Sequence, residues 1–339
     1  MKLRSKILTA AGLLVAAAAV AGLTARRIFY GPGAVKEQAS LYIYPDADYG
    51  AVLDSLTRHL RHPAAFRFYA RHIDLDSSFK PGHYLLDPSM STVETARRIK
   101  LGMQTPVRVA INNVRIPAQL AAKLAAQLAA DSASLMNLFT DPAAARSVGF
   151  DSLTLFSMFL PDTYELYWTV TPEELLARMR REYDAFWTPG RDARRARSGL
   201  SRLEVMTLAS IVWEETRQTD EMPRIAGVYI NRLRRGMPLQ ADPTVKYAMQ
   251  DFGLRRILNR HLKYPSPYNT YINRGLPPSP IAMPSKAAIE AVLDFEKHDY
   301  IFFCARPTFD GHHNFARTYS EHLANARAYT RELDKRKIK

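Results

Sequence analysis

Leu203 to Thr216 reads LEVMTLASIVWEET, and the rest of the chain is organised around it. At about 100° per residue, Val205, Leu208, Ile211 and Val212 share one stripe, which predicts a helix with a buried face. Glu215 falls on the C-terminal extension of that stripe, while Glu214 lies nearer Thr207 and Ser210. A carboxyl group at the rim of a buried face loses solvation, which penalises its charged form and raises its pKa. A general acid working near neutral pH requires that shift. Periodicity alone leaves a second reading open, in which both glutamates are surface residues of a helix's last turn.

Downstream, Asp220 to Gly236 predicts a second helix, with Asp220 as cap, Pro223 in its first turn and Ile225, Val228, Tyr229 and Leu233 on one face. Leu239 to Thr244 is a polar turn whose Asp242 either orders a site or caps the helix that follows. Tyr264 to Pro284 carries six prolines and is expected as a rigid extended loop. Its Tyr264, Tyr268 and Tyr271 offer flat amphipathic faces and Asn269 an amide, a wall suited to sugar rings, although a purely structural loop fits the same residues.

Upstream, Ile7 to Ala25 is an uncharged run flanked by Lys2, Arg4 and Lys6 before it and Arg26-Arg27 after it. Its length favours a retained membrane anchor over a cleaved signal peptide. The basic excess before the run leans towards a cytoplasmic N-terminus, with the remainder on the outer or periplasmic face of the cytoplasmic (inner) membrane. Gly31-Pro32-Gly33 marks a linker over 28–38. A small module over 39–110 follows, with strands at Leu41–Tyr44 and Val107–Ile111, a helix from Tyr49 to Leu60, and a capping box at Ser91–Glu94 opening another helix. No reactive cluster lies in this module, so it is expected to pack or to bind carbohydrate. An Ala-rich helix, Pro117 to Ala130, leads into a larger domain over 111–339. Helices and strands alternate irregularly, with no βαβ series, which gives the class α+β.

Of the 339 residues 47% are hydrophobic, enough for one large or two ordinary domains. The net charge of +14 asks for an anionic partner, but no zinc-finger spacing or RNP-like strand points to nucleic acid. Cys304 is the only cysteine, which excludes internal disulfides, and its apolar setting reads as a core strand position. His312-His313 and His322 lack an HExxH-type partner, so neither a metal nor another cofactor is expected.

Taken together, LASIVWEET, LQADPTVKYAM, YNTYINRGLPPSPI, HHNFARTYSEHLAN and the FLPDTY turn at Phe159–Tyr164 resemble the ordered motifs of the endolytic murein transglycosylase family, the MltG or YceG-like proteins. The resemblance spans most of the chain. It implies a single catalytic acid and base at Glu215, with Trp213 standing where the family has a first glutamate. Asp242, Tyr268, Asn269, Tyr271 and His313 become candidates for positioning substrate. It further implies that the module at 39–110 is LysM-like, on Lys80-Pro81-Gly82, and that the substrate is the glycan of peptidoglycan, cut at the MurNAc–GlcNAc bond without water to leave a 1,6-anhydro end. Partners implied are glycan strands, membrane lipid through one helix, and cell-wall synthases as a further candidate. The competing expectation is a membrane-tethered peptidoglycan-binding scaffold whose site has decayed, as Trp213 would suggest.

Overall fold

The computed structural model describes residues 2–254 and 256–336, with side chains from residue 6 onward. The first residue of the expected anchor and the last three of the expected larger domain lie outside the described residues. The fold is α+β, with three two-stranded sheets among the described residues, β1–β2, β3–β4 and β5–β6. The chain groups into two compact units. One comprises residues 1–109 with 127–129 and 165–170; the other comprises 110–126, 130–164 and 171–339.

The first unit begins with α1 (Lys2–Tyr30), in which Lys6–Tyr30 is long and apolar enough to cross a membrane. Twenty-nine residues at ~1.5 Å rise exceed the ~30 Å of a bilayer's hydrocarbon core. Then come β1 (Ala39–Ile43), α2 (Tyr49–Arg58), α3 (Pro63–His72), α4 (Leu75–Ser78), β2 (Gly82–Leu86) and α5 (Thr92–Leu101). β1 and β2 pair antiparallel, with Ala39 opposite Leu86 and Ile43 opposite Gly82. Their inward side chains join Leu56, Phe66 and Ile99 in one core.

Within the segment expected as a linker, Gly33 and Ala34 donate to the carbonyls of Pro88 and Met90, and Val35 is fully buried. The Ser91 hydroxyl caps α5 by accepting from the Glu94 amide, but Glu94 pairs with Arg98 one turn on, so the reciprocal half of the box is not made. In addition, Trp168, from the returning segment 165–170, packs edge-on against Tyr42 and Tyr44.

β3 (Val107–Ile111) and β4 (Asp162–Leu166) carry the chain from one unit to the other, with α6 (Pro117–Ala125), α7 (Ser132–Thr140) and α8 (Pro142–Ser147) between them. α6 stops five residues short of the expected Ala130. Then follow α9 (Pro172–Phe186), α10 (Pro189–Ser198), α11 (Arg202–Glu215), α12 (Met222–Arg234), α13 (Asp242–Met249), α14 (Lys286–Leu293), β5 (Phe302–Ala305), β6 (His313–Ala316) and α15 (Tyr319–Lys335). α11 is the centre of the second unit, and α12, α13 and α14 pack on it. Every residue from Val205 to Val212 is buried, including Thr207 and Ser210, so the helix has no solvent face over these residues and the single stripe was too narrow a reading. Ser210 accepts from the Ile281 amide at 3.0 Å, which ties the Pro-rich loop to the helix. Cys304 lies in β5 as expected but is only half-buried, because a two-stranded ribbon covers one face.

Candidate active site

A capping box between Ser201 and Glu204 starts α11, and Thr216 in extended conformation ends it, so Glu215 is its last residue. Glu215 faces a cleft of about 410 Å³ lined also by Tyr229, Arg232, Gln240, Asp242, Tyr271, Phe302, Phe303, Tyr319 and His322. Tyr229, on the apolar face of α12 and 1% exposed, donates its hydroxyl to Glu215 Oε1 at 2.7 Å. Burial pushes the Glu215 carboxyl up from the ordinary 4.5 to about 7. The Tyr229 bond opposes that rise, the charge of Asp242 adds to it, and that of His313 opposes it. At neutral pH the group is therefore divided between acid and carboxylate, the state a proton donor that later accepts a proton requires.

Asp242 does not cap the helix that follows. Ala241 is the N-cap of α13 and makes no side-chain cap bond; Asp242 is the first helical residue, and its carboxylate accepts from the Tyr271 hydroxyl at 2.6 Å. Thr244 is held instead by Ala241 and Thr270. Burial, with Asp242 and Glu215 alongside, raises the Tyr271 pKa, so its phenol stays a donor.

The remaining expected site residues are placed differently. Asn269 is 0% exposed, and its amide is spent on the loop itself, donating to the Leu262 and Tyr264 carbonyls and accepting from the Tyr271 amide. It shapes the loop that carries Tyr271 and has no group to offer a ligand. Tyr268 packs on Tyr247 and bonds Ser279 at 2.6 Å, away from the residues lining the Glu215 cleft. His313 also lies outside that lining: its Nδ1 is 2.7 Å from Glu221, and its ring meets Phe303, which does line the cleft. Because Glu221 spends its carboxylate on His313, α12 has no side-chain cap. Glu221, not Asp220, occupies the N-cap position.

Several cleft residues were not foreseen. Arg232 is buried, bonds the carbonyls of Ile301 and Leu239 and the Gln240 side chain, and lies over the Phe302 ring. His322 stacks on Phe302 at 5.2 Å, and burial lowers its pKa. A signal for Tyr229 was present: a tyrosine within an apolar stripe needs a partner for its hydroxyl. His322 lies in the quoted HHNFARTYSEHLAN motif, and Arg232 gave no signal, because its partners come from other segments.

Among the described residues, no three His, Cys, Asp or Glu side chains converge as a metal site would require.

Similar proteins were found by sequence and by structure. An endolytic murein transglycosylase of Bacillus subtilis (strain 168) is 42% identical over 119 residues, 35% of this chain and 32% of that protein. Another, of Streptococcus pneumoniae serotype 2 (strain D39 / NCTC 7466), is 28% identical over 297 residues, 78% of this chain and 53% of that protein. The chain thus spans about half the length of the pneumococcal relative and a third of the Bacillus one. A crystal structure of a YceG-like protein from Listeria monocytogenes superposes with a TM-score of 0.57 at 27% identity, covering 85% of this chain and 99% of that one. The sequence model of the YceG-like family matches residues 41–328, and the chain belongs to that family.

Proposed function

We propose that the chain is a membrane-anchored lytic transglycosylase that cleaves the glycan strands of peptidoglycan, with Glu215 as acid and then base. The observation that carries this is a partly buried glutamic acid with its pKa pushed up to about 7, held by Tyr229 and facing an aromatic-lined cleft. The activity named for the Bacillus and pneumococcal relatives supports it.

In this reading protonated Glu215 donates to the bridging oxygen after N-acetylmuramic acid. As the bond breaks, positive charge develops on the sugar, and Asp242 lies in the same cleft to stabilise it. The Glu215 carboxylate then takes the proton of that sugar's own 6-hydroxyl, whose oxygen closes on the anomeric carbon. Proton and bond counts balance without water. Because the nucleophile is intramolecular, positioning replaces a second catalytic group, an advantage worth ~7 kcal/mol or more. Phe302, Phe303 and Tyr319 supply faces for sugar C–H bonds, and Tyr271 orients Asp242. α1 spans the cytoplasmic membrane with residues from about 28 onward outside the cytoplasm, as the basic flank of the apolar run favours. The first unit acts as a LysM-like glycan holder, its exposed Tyr42 and Tyr44 beside Trp168 forming the platform. Cell-wall synthases are proposed as partners that would supply nascent strands.

One alternative has an observation in its favour: Asp242 shares the cleft and would serve as the base of an inverting hydrolase. Digestion of purified glycan in H₂¹⁸O separates the two. The expected products carry anhydro ends that borohydride does not reduce and no ¹⁸O; labelled, reducible ends would reject the transglycosylase mechanism.

A further inference from the structure

The apolar run of α1 ends at Ala25, and Arg26-Arg27 carry the first charges after it. The uncharged residues Ile7–Ala25, at ~1.5 Å rise each, cover ~28 Å, close to the ~30 Å hydrocarbon core of a bilayer. With α1 across a membrane, Arg27 therefore stands at the level of the lipid headgroups. α3 is held at the same level, because its Phe68 and Tyr69 rings lie 6.1 and 6.4 Å from that of Phe29. Tyr30 and Phe68 are largely exposed there, in the interfacial layer where aromatic side chains are favoured.

A pocket of about 360 Å³ opens at this level, lined by Thr24, Arg27, Ile28, Pro32, Arg61 and His62, among others. Its two sides are tied together through the backbone. Arg61 donates its amide to the Ala34 carbonyl at 2.8 Å, Val35 and Leu60 form an antiparallel bridge, and the Thr92 hydroxyl donates to the Ile28 carbonyl at 2.8 Å. No carboxylate lines the pocket. Among the described residues, neither the Arg27 nor the Arg61 guanidinium makes an ion pair or a hydrogen bond. The C-terminal end of α1 contributes about half a negative charge, which two guanidiniums outweigh. A guanidinium fork matches the oxygens of a phosphate, whereas a zwitterionic headgroup brings its own cation beside that phosphate and competes with the arginines. Thr24 belongs to the apolar run, so the pocket continues from the headgroup level into the span. A free anion would use the arginines alone. A phospholipid would use both ends, its phosphate between Arg27 and Arg61 and its glycerol and upper acyl carbons along Thr24 and Ile28.

We infer that this pocket binds the headgroup phosphate of an anionic phospholipid, which seats the first unit on the membrane surface beside its own anchor. The inference rests on the reading of α1 as a membrane span and goes beyond it, since a span alone asks for no particular lipid.

The full chain in neutral detergent is titrated with dioctanoyl phosphatidylglycerol, dioctanoyl phosphatidylcholine and inorganic phosphate, and bound molecules are counted by native mass spectrometry. Phosphatidylglycerol should bind at least about tenfold more tightly than phosphatidylcholine, the scale of one charge-assisted hydrogen bond, and millimolar phosphate should not displace it. Arg27→Gln combined with Arg61→Gln should remove the preference. Arg71→Gln combined with Arg97→Gln takes the same charge from exposed positions of the same unit outside the pocket, and should keep it. Unchanged far-UV circular dichroism would verify the fold of both. An Arg27→Gln/Arg61→Gln chain that retains the preference, or a control pair that loses it equally, would overturn the pocket. Displacement by phosphate would reassign it to a free anion and overturn the lipid. The span is read separately, by alkaline carbonate extraction of membranes, in which wild type and both variants should stay in the pellet. Release of wild type by carbonate would reject the membrane anchor, and the titration would still decide the pocket.

Discussion

Glu214 and Glu215 are adjacent carboxylates on one helical turn, and they inhabit opposite environments. Around Glu214 the structure gathers Arg115 and Arg217, so its charge is compensated. Around Glu215, desolvation among aromatic rings and the negative charge of Asp242 resist ionisation, and the Tyr229 hydroxyl only partly offsets them. What separates them is surroundings, since the side chain is the same. Two carboxyls whose environments differ this much are suited to different tasks, one structural and one proton-transferring.

The sharpest way to break this contrast is to neutralise each glutamate in turn. Glu215→Gln should lower the rate of anhydro-product release by ~10²–10⁴-fold, the usual effect of removing an essential proton-transfer group. Glu214→Gln should fall well short of that loss when the same products are quantified by mass spectrometry. Comparable losses from both would end the distinction.

Stability should separate them next. The folded-state pKa of Glu215, about 7, lies above its unfolded value near 4.5, so the folded chain binds this proton more tightly. Its contribution is complete below about pH 4.5 and is lost as pH rises through about 7. Glu215→Gln removes that loss, so the variant should be more stable than wild type by roughly 3 kcal/mol at about pH 9 and indistinguishable from it at about pH 4. Urea unfolding of detergent-solubilised protein at both pH values reads this directly. A variant no more stable than wild type at the higher pH would mean that Glu215 is better solvated than the cleft suggests.

A finer test reverses the two influences on Glu215. Tyr229→Phe removes a hydrogen bond that favours the carboxylate, so the alkaline limb of kcat/KM should move to higher pH. Asp242→Asn removes a charge that disfavours it, so the limb should move to lower pH. Shifts in the same direction would contradict the arrangement. The smallest effect belongs to the other glutamate. Arg115→Gln leaves Glu214 paired with Arg217, and partly exposed ion pairs of this kind are worth about 0–1 kcal/mol, so thermal melting should change little.

How far each feature could be read ahead follows from the range of its cause. The helix over Leu203–Thr216 was legible because its apolar residues repeat along the chain, but burial of Thr207 and Ser210 was not, since it depends on α12, α13, α14 and the Pro-rich loop closing around it. Gly236, at φ 61°, ends α12 as expected of a left-handed position that favours glycine. The other end starts at Glu221 and not at Asp220, and it has no side-chain cap because His313, 92 residues away, claims the Glu221 carboxylate. Asn269 looked like a ligand group because it is polar and sits among tyrosines; inside the folded loop all that polarity is turned on the loop's own backbone.

By itself, then, the sequence determined the apolar N-terminal helix, the α+β class, the ordered motifs that mark the family and the candidacy of Glu215. The first two are properties of local composition and spacing, and the last two are what the motifs' resemblance to a known family implies. Only the tertiary structure decided which of two neighbouring glutamates is paired with cations, which is pushed to about 7, and that Tyr229, Arg232 and His322 share its cleft. Desolvation and Coulomb interactions depend on distance through space, and Arg115 reaches Glu214 across 99 residues of chain that no local pattern spans.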